Sequence, residues 1–189
     1  TIIKYPEIDP LFARTHNLLV ASNKMALEAA QQEASRRGFH STIVTDAMEG
    51  EAREQARNFV QRILQYAGPR PACLLMGGET TVKVQGNGLG GRNQEFVLAA
   101  FEMLSGNATG FREWPFVLSA GTDGGDGPTD AAGALLGRQT AEAARDLGLS
   151  PTDYLRRNDS YHFFEKTGGL IKTGPTQTNV MDLVLALLP

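Results

Sequence analysis

The chain is nearly free of cysteine, with Cys73 the only one among 189 residues. A single thiol excludes an internal disulfide and any multi-cysteine metal site, and it suits a reducing compartment. Set in the apolar run ACLLM, Cys73 reads as a small core hydrophobe. Basic charge is not in excess either: 18 Lys and Arg face 21 Asp and Glu, for a net charge of −3. No basic field is available for a nucleic acid, so that partner is not expected. No stretch of about 18 apolar residues is present, which argues against a membrane span. The opening TIIKYPEIDP has neither a signal-peptide plan nor an initiator methionine. A cytoplasmic protein is expected, and a chain that is a piece of something longer. The three histidines, His16, His40 and His162, have no second ligand at metal-binding spacing. The GxSxG setting of a hydrolase serine and the GxxxxGK[ST] phosphate loop are both missing.

Glycine is plentiful where it matters. The stretch Gly77 to Glu95, GGETTVKVQGNGLGGRNQE, holds six glycines between an apolar run and a helix-like run. It reads as strand, tight turn, short strand TTVKVQ, glycine loop, helix. Such a loop admits close approach of backbone N–H groups to a ligand, and the helix N-terminus behind it favours an anion. Arg92, where loop meets helix, is placed to fork onto a phosphate or carboxylate. On the loop rim it would bury little, so its removal should barely change stability. A glycine-rich hairpin before a capped helix fits the same residues. Gly86-x-Gly88-x-x-Gly91 matches the dinucleotide fingerprint in form, but the segment before it is short and polar. The next strand also ends far downstream, at Asp123.

Along the chain, HNLLVAS (16–22) reads as a buried strand. Asn23 caps a helix with Met25, Ala26, Ala29, Ala30 and Ala34 inward, ended by Gly38. FHSTIVT (39–45) reads as a strand. A helix over about 51–66 buries Ala52, Ala56, Phe59, Val60 and Ile63. Gly68-Pro69-Arg70-Pro71 marks a boundary, separating a β-α-β-α segment (1–68) from an α/β domain (72–189). Beyond it come ACLLM, a helix over 93–104, a surface loop GNATGFREW, a strand FVLSA, helices over 138–147, after Ser150-Pro151 and over 159–166, then the apolar runs GLIKTG and NVMDLVLALLP. Lys83, inside TVKVQ, reads as a solvated strand residue.

Three further polar clusters stand out. AGTDGGDGPTDAAG (120–133) puts Asp123, Asp126 and Asp130 just past a strand's carboxyl end, where α/β folds bind ligands. Asp123 and Asp126, three apart among glycines, suit a shared Mg²⁺ or proton acceptance, while an acidic turn with local backbone bonds is the plainer reading. Asn158-Asp159-Ser160 is a helix N-cap signature. TGPTQTNVMD (173–182) is dense in hydroxyls and amides.

In this order GGET, GNGLGGRNQE, GTDGGDGPTDAAG, NDSYHFF and TGPTQTNVMD resemble the C-terminal half of the class II glycerate kinases. That region, from about residue 72 to the end, is similar to what is called the MOFRL domain. The resemblance implies an α/β fold: a mixed sheet with flanking helices, preceded by the β-α-β-α close of a Rossmann-like domain. It implies ATP-dependent phosphorylation of D-glycerate to 2-phosphoglycerate in a cleft between two domains. ATP and Mg²⁺ would be the cofactors, and a catalytic lysine would lie in the missing N-terminal domain. Such a fragment would be inactive alone. Carried onto these positions, Arg92, Asp123 and Asp126 are the catalytic candidates, the two aspartates also as metal ligands. Glu79, Gly88, Gly90, Gly91, Asn93, Glu95, Asn158 and Asn179 would bind substrate or phosphate. Some relatives carry an older hydroxypyruvate reductase name, which leaves an NAD(P)H-dependent reductase as one alternative and a non-catalytic binding or regulatory module as another.

Overall fold

The computed structural model describes residue 16 and residues 18–106 and 113–189. A six-stranded mixed sheet runs through the middle, in the order β1-β2-β6-β3-β4-β5. Its strands are β1 (His40–Met48), β2 (Ala72–Gly78), β3 (Phe116–Gly121), β4 (Gly133–Leu136), β5 (Leu170–Ile171) and β6 (Asp182–Leu188). The helices are α1 (Asn23–Arg36), α2 (Ala52–Leu64), α3 (Arg92–Gly106), α4 (Arg138–Asp146), α5 (Pro151–Arg156) and α6 (Ser160–Thr167). Among the described strands only β1 and β2 are parallel, joined through α2; every other neighbouring pair is antiparallel. A parallel pair needs such a crossover, whereas antiparallel neighbours do not. The α/β mixed sheet with flanking helices that the resemblance implies is the fold observed.

Alternation along β6 divides the interior. Val184, Ala186 and Leu188 are buried in the larger core with Phe59, Leu74, Phe96 and Phe163. Leu183, Leu185 and Leu187 turn to the other face, where Leu27 of α1 packs with Cys73 and Leu75. Cys73 is buried there, as a small hydrophobe would be. Helix α2 buries Ala52, Ala56, Phe59, Val60 and Ile63, the face its 3.6-residue period dictates.

Four local expectations are corrected. Residues 18–22 form no strand; Leu18, Leu19 and Val20 are 84%, 73% and 78% exposed. The β-α-β-α segment expected over 1–68 thus lacks its first strand among the described residues, and the parallel crossover is β1-α2-β2. Ser22, not Asn23, caps α1, its hydroxyl accepting from the Met25 N–H at 3.2 Å. Asn23 is buried instead, its side-chain amide donating to the Val180 and Asp182 carbonyls. The inward face of α1 is accordingly Asn23, Leu27, Ala30 and Ala34, with Met25 and Ala29 exposed. TTVKVQ contributes only a single bridge, Thr81 to Glu51; Lys83 and Val84 are exposed. Strand β4 has no signal in the sequence, since GALL is too short to show a period. The surface loop expected over GNATGFREW falls mostly on residues 107–112, outside the described set.

Candidate functional site

Where β2 ends, the chain is zipped to the β1–α2 turn. Glu79 N–H donates to the Met48 carbonyl at 2.8 Å, Thr81 N–H to Gly50 at 2.8 Å, and Ala52 N–H to Thr81 at 2.9 Å. Gly78, with φ +140°, lies so close to the Met48 backbone that a Cβ there would collide with it. Beyond this strap the glycine loop encloses a cleft of about 480 Å³, lined by Thr80, Thr81, Gly90, Gly91, Arg92 and Asn158 among others. A larger hollow of about 630 Å³, against Phe101, Trp114 and Leu149, is lined by none of the candidate catalytic or binding residues.

The loop is shaped from within. Asn158, in the left-handed region at φ +53°, accepts through Oδ1 from the Gln85 and Gly86 N–H groups at 2.7 and 2.9 Å. Its Nδ2 donates to Glu95 Oε2 at 3.0 Å. Glu95 is buried and takes Arg53 Nε of α2 on its other oxygen at 2.7 Å. The Gly88 N–H donates to the Arg157 carbonyl and the Leu89 N–H to Asp159 Oδ1. Gly88 and Gly90 are needed because Asp159 and Ser160 occupy the space a side chain would take. The loop amides at 85, 86, 88 and 89 are thus already bonded, and the glycines answer to close packing against the start of α6.

The N-terminus of α3 is also filled. Asp126 is 2% exposed and accepts from Asn93 N–H and Gln94 N–H at 3.0 and 2.9 Å. It accepts as well from Asn93 Nδ2 at 3.3 Å and Gln94 Nε2 at 3.0 Å. This is a helix cap supplied from 33 residues beyond Asn93, and it answers the orphan donors that an external anion would otherwise meet. Burial pushes the Asp126 carboxyl up to about 6, against the opposing pull of the Asn93 and Gln94 bonds. Asn93 is buried too, its Oδ1 accepting from the Ser119 hydroxyl; it braces β3 against α3 and does not face the cleft.

Arg92 is the cation of the cleft. Its Nε and Nη2 fork onto Asp182 at 2.6 and 2.9 Å, and its Nη1 lies 3.0 Å from Glu79. Asp182 is fully buried. Its carboxylate, ahead of Asp126 and Glu79, raises the Arg92 pKa further above its usual value.

The MOFRL family profile matches residues 72–182. The chain belongs to the MOFRL family. It is 42% identical to a D-glycerate 2-kinase of Thermotoga maritima over 90% of this chain and 41% of that one. It is 40% identical to a glycerate 2-kinase of Pyrococcus horikoshii over 92% and 39%. An Agrobacterium vitis relative, 41% identical over 90% and 39%, is named provisionally as a hydroxypyruvate reductase. The crystal structure of a Thermotoga maritima glycerate kinase superposes with a TM-score of 0.83 at 40% identity, over 91% of this chain and 42% of that one. The chain spans about two-fifths of the length of these relatives.

Within the MOFRL region the sequence-derived residues separate. Arg92, Glu79, Gly90, Gly91, Glu95 and Asn158 gather around the cleft. Asp123 and Asp126 do not share a point: Asp126 is buried under α3, while Asp123 is exposed and accepts from its own turn's Gly125 N–H at 3.0 Å. Asn179 is exposed and accepts from the Met181 N–H. Asp130 is exposed and takes the Lys172 ammonium and the Tyr161 hydroxyl. No group of three or more His, Cys, Asp or Glu is arranged around a cation among the described residues. Two residues that hold this cleft together are not candidates from sequence: Arg53 lies outside every motif, and Asp182 closes TGPTQTNVMD without being singled out there. Asp182 opens an apolar strand and looks like its boundary, and Arg53 looks like one exposed charge on α2. The sequence signals are the place of Asp182 at the end of TGPTQTNVMD and that of Arg53 beside the inward-facing Ala52.

Proposed function

We propose that this chain forms the MOFRL side of a glycerate 2-kinase, which moves a phosphoryl group from ATP to the 2-hydroxyl of D-glycerate. The observation that supports the reading most is Arg92, held rigidly at the glycine-loop cleft of a chain matched over 90% of its length by a D-glycerate 2-kinase. A preorganised guanidinium at such a place stabilises the carboxylate of a hydroxy acid or the charge on a transferring phosphoryl group. Glu95, Asn158 and Arg53 set the shape of the loop, and Asp126 and Asn93 fix the start of α3. The other wall of the cleft, with the catalytic lysine, comes from a further domain of a longer protein.

ATP and Mg²⁺ are the donor pair in this proposal, the metal supplying charge neutralisation on the phosphates. The aspartate turn does not fit a cation bound by both carboxylates, because Asp126 is committed to four N–H donors. Asp123 remains as the exposed carboxylate of that turn. The reductase alternative gains nothing from the glycines, since Gly86, Gly88 and Gly91 are crowded by Arg157, Asp159 and Asp126 where a pyrophosphate would need to approach.

The test joins this chain to the unmatched portion of the Thermotoga relative and assays it with ATP, Mg²⁺ and D-glycerate. Glycerate-dependent ADP formation by the joined protein, with none from the chain alone, is the expected result. NADPH oxidation with hydroxypyruvate in its place would overturn the kinase reading.

A further inference from the structure

We infer that Glu79 is a built-in competing anion, whose carboxylate holds the outer edge of Arg92 and is displaced by the carboxylate or phosphate of an incoming ligand. The inference rests on the proposed function for the identity of that ligand, and on the geometry of Arg92 for everything else. A guanidinium carries five N–H donors in a fixed plane. Two of them, on Nε and Nη2, are committed to Asp182 at 2.6 and 2.9 Å, and Nη1 lies 3.0 Å from Glu79 Oε1.

The two carboxylates are unequal. The Asp182 side chain is 0% exposed, so its withdrawal from Arg92 would leave a buried charge without a partner. The Glu79 side chain is 55% exposed, and an ion pair in that setting is held weakly. Two acids on one cation leave an excess negative charge, to which Asp126 adds its own. An arriving anion gains little beside both carboxylates; it must replace one, and only Glu79 is able to leave. The departure needs no movement of the loop. The Glu79 backbone is fastened to Met48, so rotation of the side chain into water is enough. Glu79 then sets ligand affinity without contributing a bond to the bound state.

The experiment is an NMR titration of the 189-residue chain, wild type, Glu79→Gln and Glu79→Ala, with D-glycerate and separately with inorganic phosphate at low ionic strength. Both variants should bind the accepted anion about 3- to 5-fold more tightly, the worth of one exposed ion pair. The advantage should shrink as salt is added. The Arg92 Nε signal, locked by Asp182, should keep its position in all three proteins. Equal or weaker binding by both variants overturns the inference, and so does an absence of binding by any of the three. Tighter phosphate binding without any glycerate binding keeps the role of Glu79 and overturns the glycerate reading instead.

Discussion

The carboxylates around the start of α3 and those on the surface loops beside them are the same chemical groups put to different uses. Asp182, Asp126 and Glu95 are each under 3% exposed, and each meets cationic or amide donors from other parts of the chain. Asp123 and Asp130 are exposed; Asp123 bonds to its own turn, and Asp130 to surface groups of Tyr161 and Lys172. Inside, a lost partner strands a desolvated charge; outside, water replaces it. Position in a motif therefore says little about which aspartate carries structure, and burial says most of it.

The largest effect should come from Arg92→Ala. It strands Asp182, and breaking a buried pair costs about 3 kcal/mol or more. A urea midpoint that moves by less than the equivalent of about 1 kcal/mol would place Asp182 on the exposed side of the comparison. The sequence alone makes Arg92 a rim residue whose loss is harmless to the fold; its fork onto a 0% exposed carboxylate reverses that expectation.

Asp126→Ala should rank second, removing the cap of α3 at about 2 kcal/mol. Its pH dependence sharpens the test. The folded-state value of about 6 lies above the ordinary 3.8, so the native protein binds more protons than the unfolded chain between them. Stability contributed by this group is therefore highest below about pH 4, falls as pH rises toward 6, and is level above. Thermal melts across that window should show the decline in the wild type and a flatter profile in Asp126→Ala. A profile unchanged by the substitution would remove Asp126 as its source.

The smallest effect belongs to Asp123→Asn, which keeps the oxygen that accepts from Gly125 and should alter stability by no more than about 0.5 kcal/mol. Assayed in a full-length joined protein, a weakened Mg²⁺ dependence with an unchanged melt would make Asp123 functional. Unchanged metal dependence would make it a turn residue.

Local pattern carried much of the fold. Helix α2 is legible because its five inward residues keep the helical period and nothing else competes for them. Strands β2 and β3 are legible as apolar runs of strand length. The misleading segments are those where composition and environment part. Leu18-Leu19-Val20 is apolar yet exposed, and TVKVQ alternates yet finds only a single-residue bridge. The cleft was legible in its residues, not in its bonds. Arg53 with Glu95, Asn158 with the loop, and Asp126 with α3 pair across 32 to 73 positions, and no periodicity reports contacts of that range.

Strand β6 lies between β2 and β3, and its partners are distant in sequence: Leu185 faces Leu75 on one side and Leu118 on the other. Without β6, the β1-β2 pair and the β3-β4-β5 ribbon would each present an open inner edge able to pair with a foreign strand. Joining them closes long loops before the contacts reward it, the feature that slows folding in non-local topologies. The first residue of that strand is Asp182, which also fixes Arg92. The strand that closes the sheet is therefore also the one that carries the arginine's buried partner, so a change that loosens the start of β6 disturbs Arg92 as well.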